Sequence, residues 1–219
     1  MGGIRFLTAV VLLVHAVPAE DIRFDHAAIG SIPAGWTISM THAGAPPRWE
    51  LRRDDSAPQA PFVFAQVSAD ETAGRFPLAI WDRTILRDGA VSVAFKTVAG
   101  NTDRAGGVVW RYRDADNYYV VRANALENNV VLYKVEKGVR ASIAPKGLPS
   151  RAYGIKHAVP SGKWNVLRVA FKDTLFTVFF NGERLFNVED QTFRQAGKTG
   201  LWTKADSQTY FNQFTIVRQ

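Results

Sequence analysis

The stretch Gly106 to Glu136, GGVVWRYRDADNYYVVRANALENNVVLYKVE, constrains this chain more than any other. It reads as three consecutive antiparallel strands. Asp114-Ala115-Asp116-Asn117 forms the first connection and Leu126-Glu127-Asn128 the second, because short polar side chains of this kind bond their own backbone and close tight turns. With a four-residue first loop, Arg113 faces Tyr118, Trp110 faces Val121 and Val109 faces Arg122, so side chains sort onto two faces by the period of two. One face carries Val108, Trp110, Tyr112, Tyr119, Val121 and Ala123 and belongs in a core. The other carries Val109, Arg111, Arg113, Tyr118, Val120, Arg122 and Asn124, a mixture of guanidinium, phenol and amide that a core accepts only when paired. A slip of one residue would exchange the faces of one strand.

The same short-strand grammar runs through the chain. Trp36 to Thr41, Arg48 to Arg52, Phe62 to Val67, Phe76 to Trp81, Ala90 to Val98, Val139 to Ala144, Trp164 to Phe171, Leu175 to Phe180, Arg184 to Phe186, Thr199 to Thr203 and Thr209 to Val217 all read as strands. Asn181-Gly182 is the strongest hairpin signal. Pro145 to Pro160 reads as a surface excursion, a candidate lid over one end of a sheet. No window shows a sustained helical period, so the expected class is an all-β sandwich in one domain over residues 20–219. Trp36, Trp49, Trp81 and Trp164 are assigned to its core.

The first 19 residues, MGGIRFLTAVVLLVHAVPA, have the early positive charge, apolar run and small-residue end of a secretory signal peptide. The expected address is the periplasm or the outside of a bacterial cell, and no later run approaches the roughly 20 apolar residues of a membrane-spanning helix. The sequence has no cysteine, so no disulfide framework supports the fold. The net charge of +7 comes from scattered Lys and Arg rather than clusters, which argues against a nucleic-acid partner.

Three segments carry a family resemblance. Gly162 to Val169 with Phe176 to Phe186 resembles the laminin-G and concanavalin A-like lectin/glucanase pattern. Gly197-Lys198-Thr199-Gly200-Leu201-Trp202-Thr203-Lys204-Ala205-Asp206-Ser207 with Tyr210 to Phe214, together with the Gly106 stretch, resembles the exported 3-keto-disaccharide hydrolase domain family of that superfamily. The resemblance spans residues 20–217. It implies a jelly-roll sandwich of two curved antiparallel sheets, concanavalin A-like, with a carbohydrate-sized groove on the concave face. It also implies, for some members, cleavage of 3-keto-glycosides by elimination and hydration. Relatives close with Phe-Asp-Asp where this chain has Phe211-Asn212-Gln213, and two amides in place of two carboxylates weaken any calcium site there. No metal and no cofactor is expected.

The candidate chemistry follows from what is present and what is missing. A two-carboxylate glycosidase needs paired acids flanking the scissile bond. The Glu-x-Asp-x-x-Glu strand of retaining β-glucanases is absent, and Glu183, Glu189 and Asp190 read as solvated. The four histidines, His15, His26, His42 and His157, show no ligand spacing, and no nucleophile elbow is present. Arg111, Arg122 and Asn124 offer fixed donors on one sheet face, unless Asp114, Asp116 or Glu127 merely ties the arginines down. Trp202, Lys204 and Asp206 alternate along one strand, a sugar platform of indole, ammonium and carboxylate.

Two functions compete on these residues. In a carbohydrate-binding module, Trp202 and Tyr118 stack on sugar while Arg111, Arg122, Asn124 and Lys204 bond its hydroxyls. In a 3-keto-glycoside lyase or hydratase, Glu127 or Asp206 is the base and Arg122 or Lys204 stabilises the enolate oxygen. A cell-envelope adhesion module is a third reading. The partner in the first two is a carbohydrate or glycoside, and the oligomeric state is left open.

Overall fold

In a computed structural model, residues 19–24 and 27–219 are described; His15, His26 and all of the expected leader except Ala19 lie outside the described residues. Sixteen strands account for the regular structure of this region: β1 (Ala19–Ile22), β2 (Trp36–Thr41), β3 (Trp49–Arg53), β4 (Phe62–Gln66), β5 (Phe76–Leu86), β6 (Gly89–Ala99), β7 (Ala105–Asp114), β8 (Asn117–Asn124), β9 (Asn129–Glu136), β10 (Val139–Ser142), β11 (Ile155–Lys156), β12 (Asn165–Lys172), β13 (Leu175–Phe180), β14 (Glu183–Glu189), β15 (Gly197–Trp202) and β16 (Gln208–Arg218). They form two antiparallel eight-stranded sheets. The first has the order β14-β13-β12-β6-β16-β4-β3 with β1 also on β16, and the second β10-β9-β8-β7-β15-β5-β2 with β11 also on β9. The all-β sandwich read from the strand pattern is the observed architecture.

The alternation of apolar residues explains why the sheets face each other. Val91, Val93 and Phe95 of β6, Leu167, Val169 and Phe171 of β12, and Phe211, Phe214 and Ile216 of β16 point from the first sheet onto Val108, Trp110, Tyr119, Val121, Leu132 and Leu201 of the second. Trp110 is the centre: its ring stacks on Tyr119 at 5.4 Å and on Phe171 at 5.9 Å and meets Phe176 edge-on at 5.3 Å. A buried ring of this size removes on the order of 200 Å² from water, about 5 kcal/mol of transfer free energy as an upper figure. Asn181 and Gly182, with φ of 48° and 85°, make the tight turn between β13 and β14 that their sequence signals. Trp36, Trp49 and Trp81 lie in the core. Trp164 does not: it precedes β12 on the outer face of the first sheet, half-buried, with the Lys96 ammonium 5.2 Å over its ring and its Nε1 donating to Ser56 Oγ at 3.2 Å.

The β7–β8 hairpin departs from the expected register, and the departure moves a candidate residue. Asp114 pairs with Asn117 as a four-residue turn requires, yet further along Trp110 pairs with Tyr119, not Val121, and Val109 with Val120, not Arg122. A bulge between Trp110 and Asp114 absorbs the difference, with Arg111 in the left-handed region at φ 49°. Alternation breaks there, so Arg111 follows Trp110 onto the core side and Tyr112 turns outward to Tyr118, at 6.0 Å. Gly197 on β15 makes room for this bulge: a Cβ there would lie 2.5 Å from the Arg111 carbonyl carbon.

The second sheet coils so far that its nominal edges meet across its outer face. The His42 ring, just past β2, contacts Gly74 O at 2.7 Å and Gly138 O, in the β9–β10 turn, at 2.7 Å. Thr41 donates to Ala115 O at 2.6 Å, and the Arg140 guanidinium on β10 lies 4.7 Å from the Phe76 ring on β5. The outer face of this sheet is therefore concave. It is also filled, by Phe76, Leu78, Ile80, Val109, Tyr118, Val120, Val131, Tyr133, Val135 and Trp202. The expected open groove is a second small core over most of that face.

Candidate functional site

At one end of the concave face the filling turns polar. Register places Trp202, Gly107, Arg122 and Val131 in one row across β15, β7, β8 and β9. The next row toward that end is Ala105, Asn124 and Asn129. Arg122, almost wholly buried, donates through Nη2 to Glu127 Oε2 at 2.8 Å, to Tyr133 Oη at 3.0 Å and to Tyr153 Oη at 3.2 Å, and through Nη1 to Asn129 Oδ1. Asn124 Nδ2 donates to Asp103 Oδ1 at 2.5 Å and to Glu127 Oε1 at 3.2 Å. Asn129 Nδ2 reaches Glu127 Oε2 at 2.9 Å, and Lys204 Nζ is paired with Asp103 Oδ2. Four of the residues singled out in the sequence, Arg122, Asn124, Glu127 and Lys204, are thus brought together by the fold.

The other four are placed differently. Arg111 lies at the opposite end of the sandwich, where its guanidinium donates to Arg87 O at 3.0 Å, Phe193 O at 2.8 Å and Asp173 O at 2.6 Å and meets Asp88 at 3.3 Å. Those bonds lock elements together and leave it 1 % exposed. Tyr118 and Trp202 do share the concave face, but both are 0 % exposed and neither offers a ring for a sugar to stack on. Asp206 does not project beside Trp202 and Lys204, because β15 ends at Trp202 and the chain turns through Ala205 at φ 47°. Its carboxylate accepts the backbone N–H groups of Asn101 at 2.5 Å, Thr102 at 3.1 Å and Asp103 at 2.8 Å.

The electrostatics follow from these contacts. Burial alone would raise the Glu127 carboxyl, but the Arg122 guanidinium, the Asn129 amide and Lys204 outweigh it and hold Glu127 below the ordinary glutamate value. Burial likewise opposes ionisation of Asp206, and the three backbone donors overcome it, so it too is held low. Burial pushes the Tyr133 hydroxyl up, so it remains a neutral donor and acceptor. Two members of the cluster reach solvent: the Glu127 side chain is 38 % exposed and Tyr153 48 %. The mouth thus presents a carboxylate and a phenol, with the Asp103-paired Lys204 ammonium mostly buried beside them and a buried guanidinium behind. Such a set can bond adjacent hydroxyls as donor and acceptor at once.

Asp103, Asn129, Tyr133, Tyr153 and Arg140 were not singled out from sequence. Tyr133 was within reach, since it alternates with Val131 and Val135 as Tyr118 does with Val120. Tyr153 arrives from the long Pro145–Pro160 excursion, and nothing local marks it. A separate cleft of about 330 Å³ lies between Glu20–Arg23, Pro33 and Trp81. Its carboxylates Glu20 and Asp21 are already bonded to Thr84, Trp81 and Gln59, which leaves the polar mouth better equipped. Among the described residues, no group of three or more His, Asp or Glu side chains could hold a metal ion, and no helix is long and apolar enough to cross a membrane.

No protein-family model and no curated protein matches this sequence. Solved structures do resemble the fold. A carbohydrate-binding module of Bacillus subtilis superposes with a TM-score of 0.61 at 19 % identity, over 84 % of this chain and 95 % of its own. A Bacillus subtilis protein of unknown function with a galectin-like fold gives 0.51 at 12 % identity over 84 % and 90 %. Domain 4 of an extracellular arabinanase from Geobacillus stearothermophilus, in complex with arabinotriose, gives 0.51 at 13 % identity over 84 % and 82 %. At these identities the likeness is one of fold, and the chain is an antiparallel β-sandwich of the kind seen in galectin-like and carbohydrate-binding domains.

Proposed function

We propose that this chain is an exported bacterial carbohydrate-binding β-sandwich, with its sugar site at the polar mouth of the concave face. The observation that carries this reading is the cluster in which Glu127, partly exposed, is held by Arg122, Asn124 and Asn129 beside Tyr153 and the Asp103–Lys204 pair. Fixed donors and acceptors at such spacing suit vicinal hydroxyls, and Tyr153 supplies an apolar ring at the rim. The leader-like first 19 residues support export. The fold likeness to a carbohydrate-binding module and to an arabinotriose-bound domain agrees with a sugar ligand.

Binding without chemistry is favoured over the elimination implied by the 3-keto-disaccharide hydrolase resemblance. That reaction needs a base with a raised proton affinity near the sugar C2. Glu127 is held low, and Asp206 is spent on three backbone donors. The test is a glycan-binding screen followed by calorimetry. Tyr153→Ala should weaken the best ligand by about tenfold or more while leaving the melting midpoint within a few degrees, whereas Glu127→Ala should weaken binding and also lower the midpoint, because it leaves the buried Arg122 charge unpaired. Turnover of a 3-keto-glucoside that Glu127→Gln abolishes would replace this reading with the enzymatic one.

A further inference from the structure

Among the described residues the wholly buried arginines are all hydrogen-bonded, and the partly buried Arg140 is not. Arg75 donates to Ala45 O, Ala205 O and Ser68, Arg111 to three carbonyls and Asp88, and Arg122 to Glu127, Asn129 and two tyrosines. Arg140 differs. Its guanidinium lies 4.5 Å from the Tyr133 ring centre, 4.7 Å from Phe76 and 5.8 Å from Trp202. Among the described residues no hydrogen bond and no ion pair engages it, and Nη1 is its one nitrogen sealed from solvent without a partner. Facing π-systems stabilise a cation and fix its plane, but they do not neutralise its charge or use its forked N–H edge.

The charges around it do not compensate it either. Arg122 is balanced by Glu127 and Lys204 by Asp103, while Lys156 donates only to the Glu127 carbonyl. Arg140 remains a positive charge at the wall of the proposed sugar site. Tyr133 joins the two places: its ring centre is 4.5 Å from the Arg140 guanidinium carbon and 5.7 Å from that of Arg122.

We propose that Arg140 selects acidic sugars, its Nε–Nη2 edge, the one not sealed, taking the carboxylate of a uronic acid residue whose hydroxyls bond at Glu127 and Tyr153. This rests on the carbohydrate reading and narrows its ligand class. A guanidinium clamped between aromatic faces has little rotamer freedom left to lose and offers the paired N–H geometry that a carboxylate accepts.

The experiment titrates the full chain with a galacturonic acid trimer and with its neutral galactose counterpart, by calorimetry at low and high salt. The acidic trimer should bind at least about tenfold more tightly at low salt, with the gap narrowing at high salt. Arg140→Gln should bring the acidic trimer down to the affinity of the neutral one, and Arg140→Lys should restore only part of the gap because an ammonium lacks the fork. The comparison of the two sugars on the unaltered protein stands even if a variant folds poorly. Equal affinities, or an Arg140→Gln protein that keeps the preference, would overturn the inference alone, whereas failure of every sugar to bind would overturn the carbohydrate reading with it.

Discussion

Replacing Asp206 with asparagine tests whether this carboxylate is a structural clasp or a chemical group. It is 4 % exposed and accepts three backbone N–H bonds, from Asn101, Thr102 and Asp103. Gly100, at φ 134°, lets the loop fold tightly enough for this; a Cβ there would sit 1.9 Å from Asp103 O. Charge-assisted bonds contribute about 1.5 kcal/mol each at the low end, and the asparagine oxygen recovers about 1.5 kcal/mol of the total, so Asp206→Asn should cost about 3 kcal/mol at neutral pH. In a domain of this size that is a fall of about 6–12 °C in melting midpoint. The carboxylate is depressed in the folded state, so its contribution is complete above the ordinary aspartate value of about 3.9 and is lost as pH falls through the lower folded value. Urea unfolding at neutral pH should therefore separate variant from wild type, and the separation should close in strong acid. A loss below about 0.5 kcal/mol, or a gap that persists unchanged in acid, would refute the clasp.

Two further substitutions address the frame. Gly197→Ala should destabilise by more than about 2 kcal/mol in urea unfolding, because its Cβ would press at 2.5–2.7 Å on the Arg111 backbone, which cannot step aside without undoing the bulge. Trp110→Ala should cost about 3–5 kcal/mol, whereas Trp164→Ala, on the half-buried outer face, should cost under about 1.5 kcal/mol by the same measurement.

The fold was legible because its signals are local and repeated. Alternation in Val91-Ser92-Val93-Ala94-Phe95 and the Asn181-Gly182 turn state strand, face and reversal within a few residues. Half of the candidate site was legible for the same reason, since Arg122 and Asn124 sit on one strand and Glu127 in the turn that follows. What was not legible depended on geometry outside the local pattern. A single left-handed residue at Arg111 reversed two side chains, its own and that of Tyr112, and the end of β15 at Trp202 sent Asp206 into a neighbouring loop. The coiling of the second sheet, which buries Tyr118 and Trp202, arises from contacts such as His42 with Gly138, 96 residues apart. Trp164 read as core because tryptophan usually is.

The order of strands carries a consequence for how the chain comes to be folded. β16 lies between β6 and β4 in one sheet, and β15 lies between β7 and β5 in the other. Until residues 197–218 are available, each sheet is two separate pieces with raw inner edges, and no hydrogen-bonded path joins them. β15 and β16 follow every other described strand in the chain and are interior ones of both layers, so the sandwich cannot finish folding before they have emerged. A truncation before Gly197 should yield a sticky, incomplete sandwich rather than a smaller stable one.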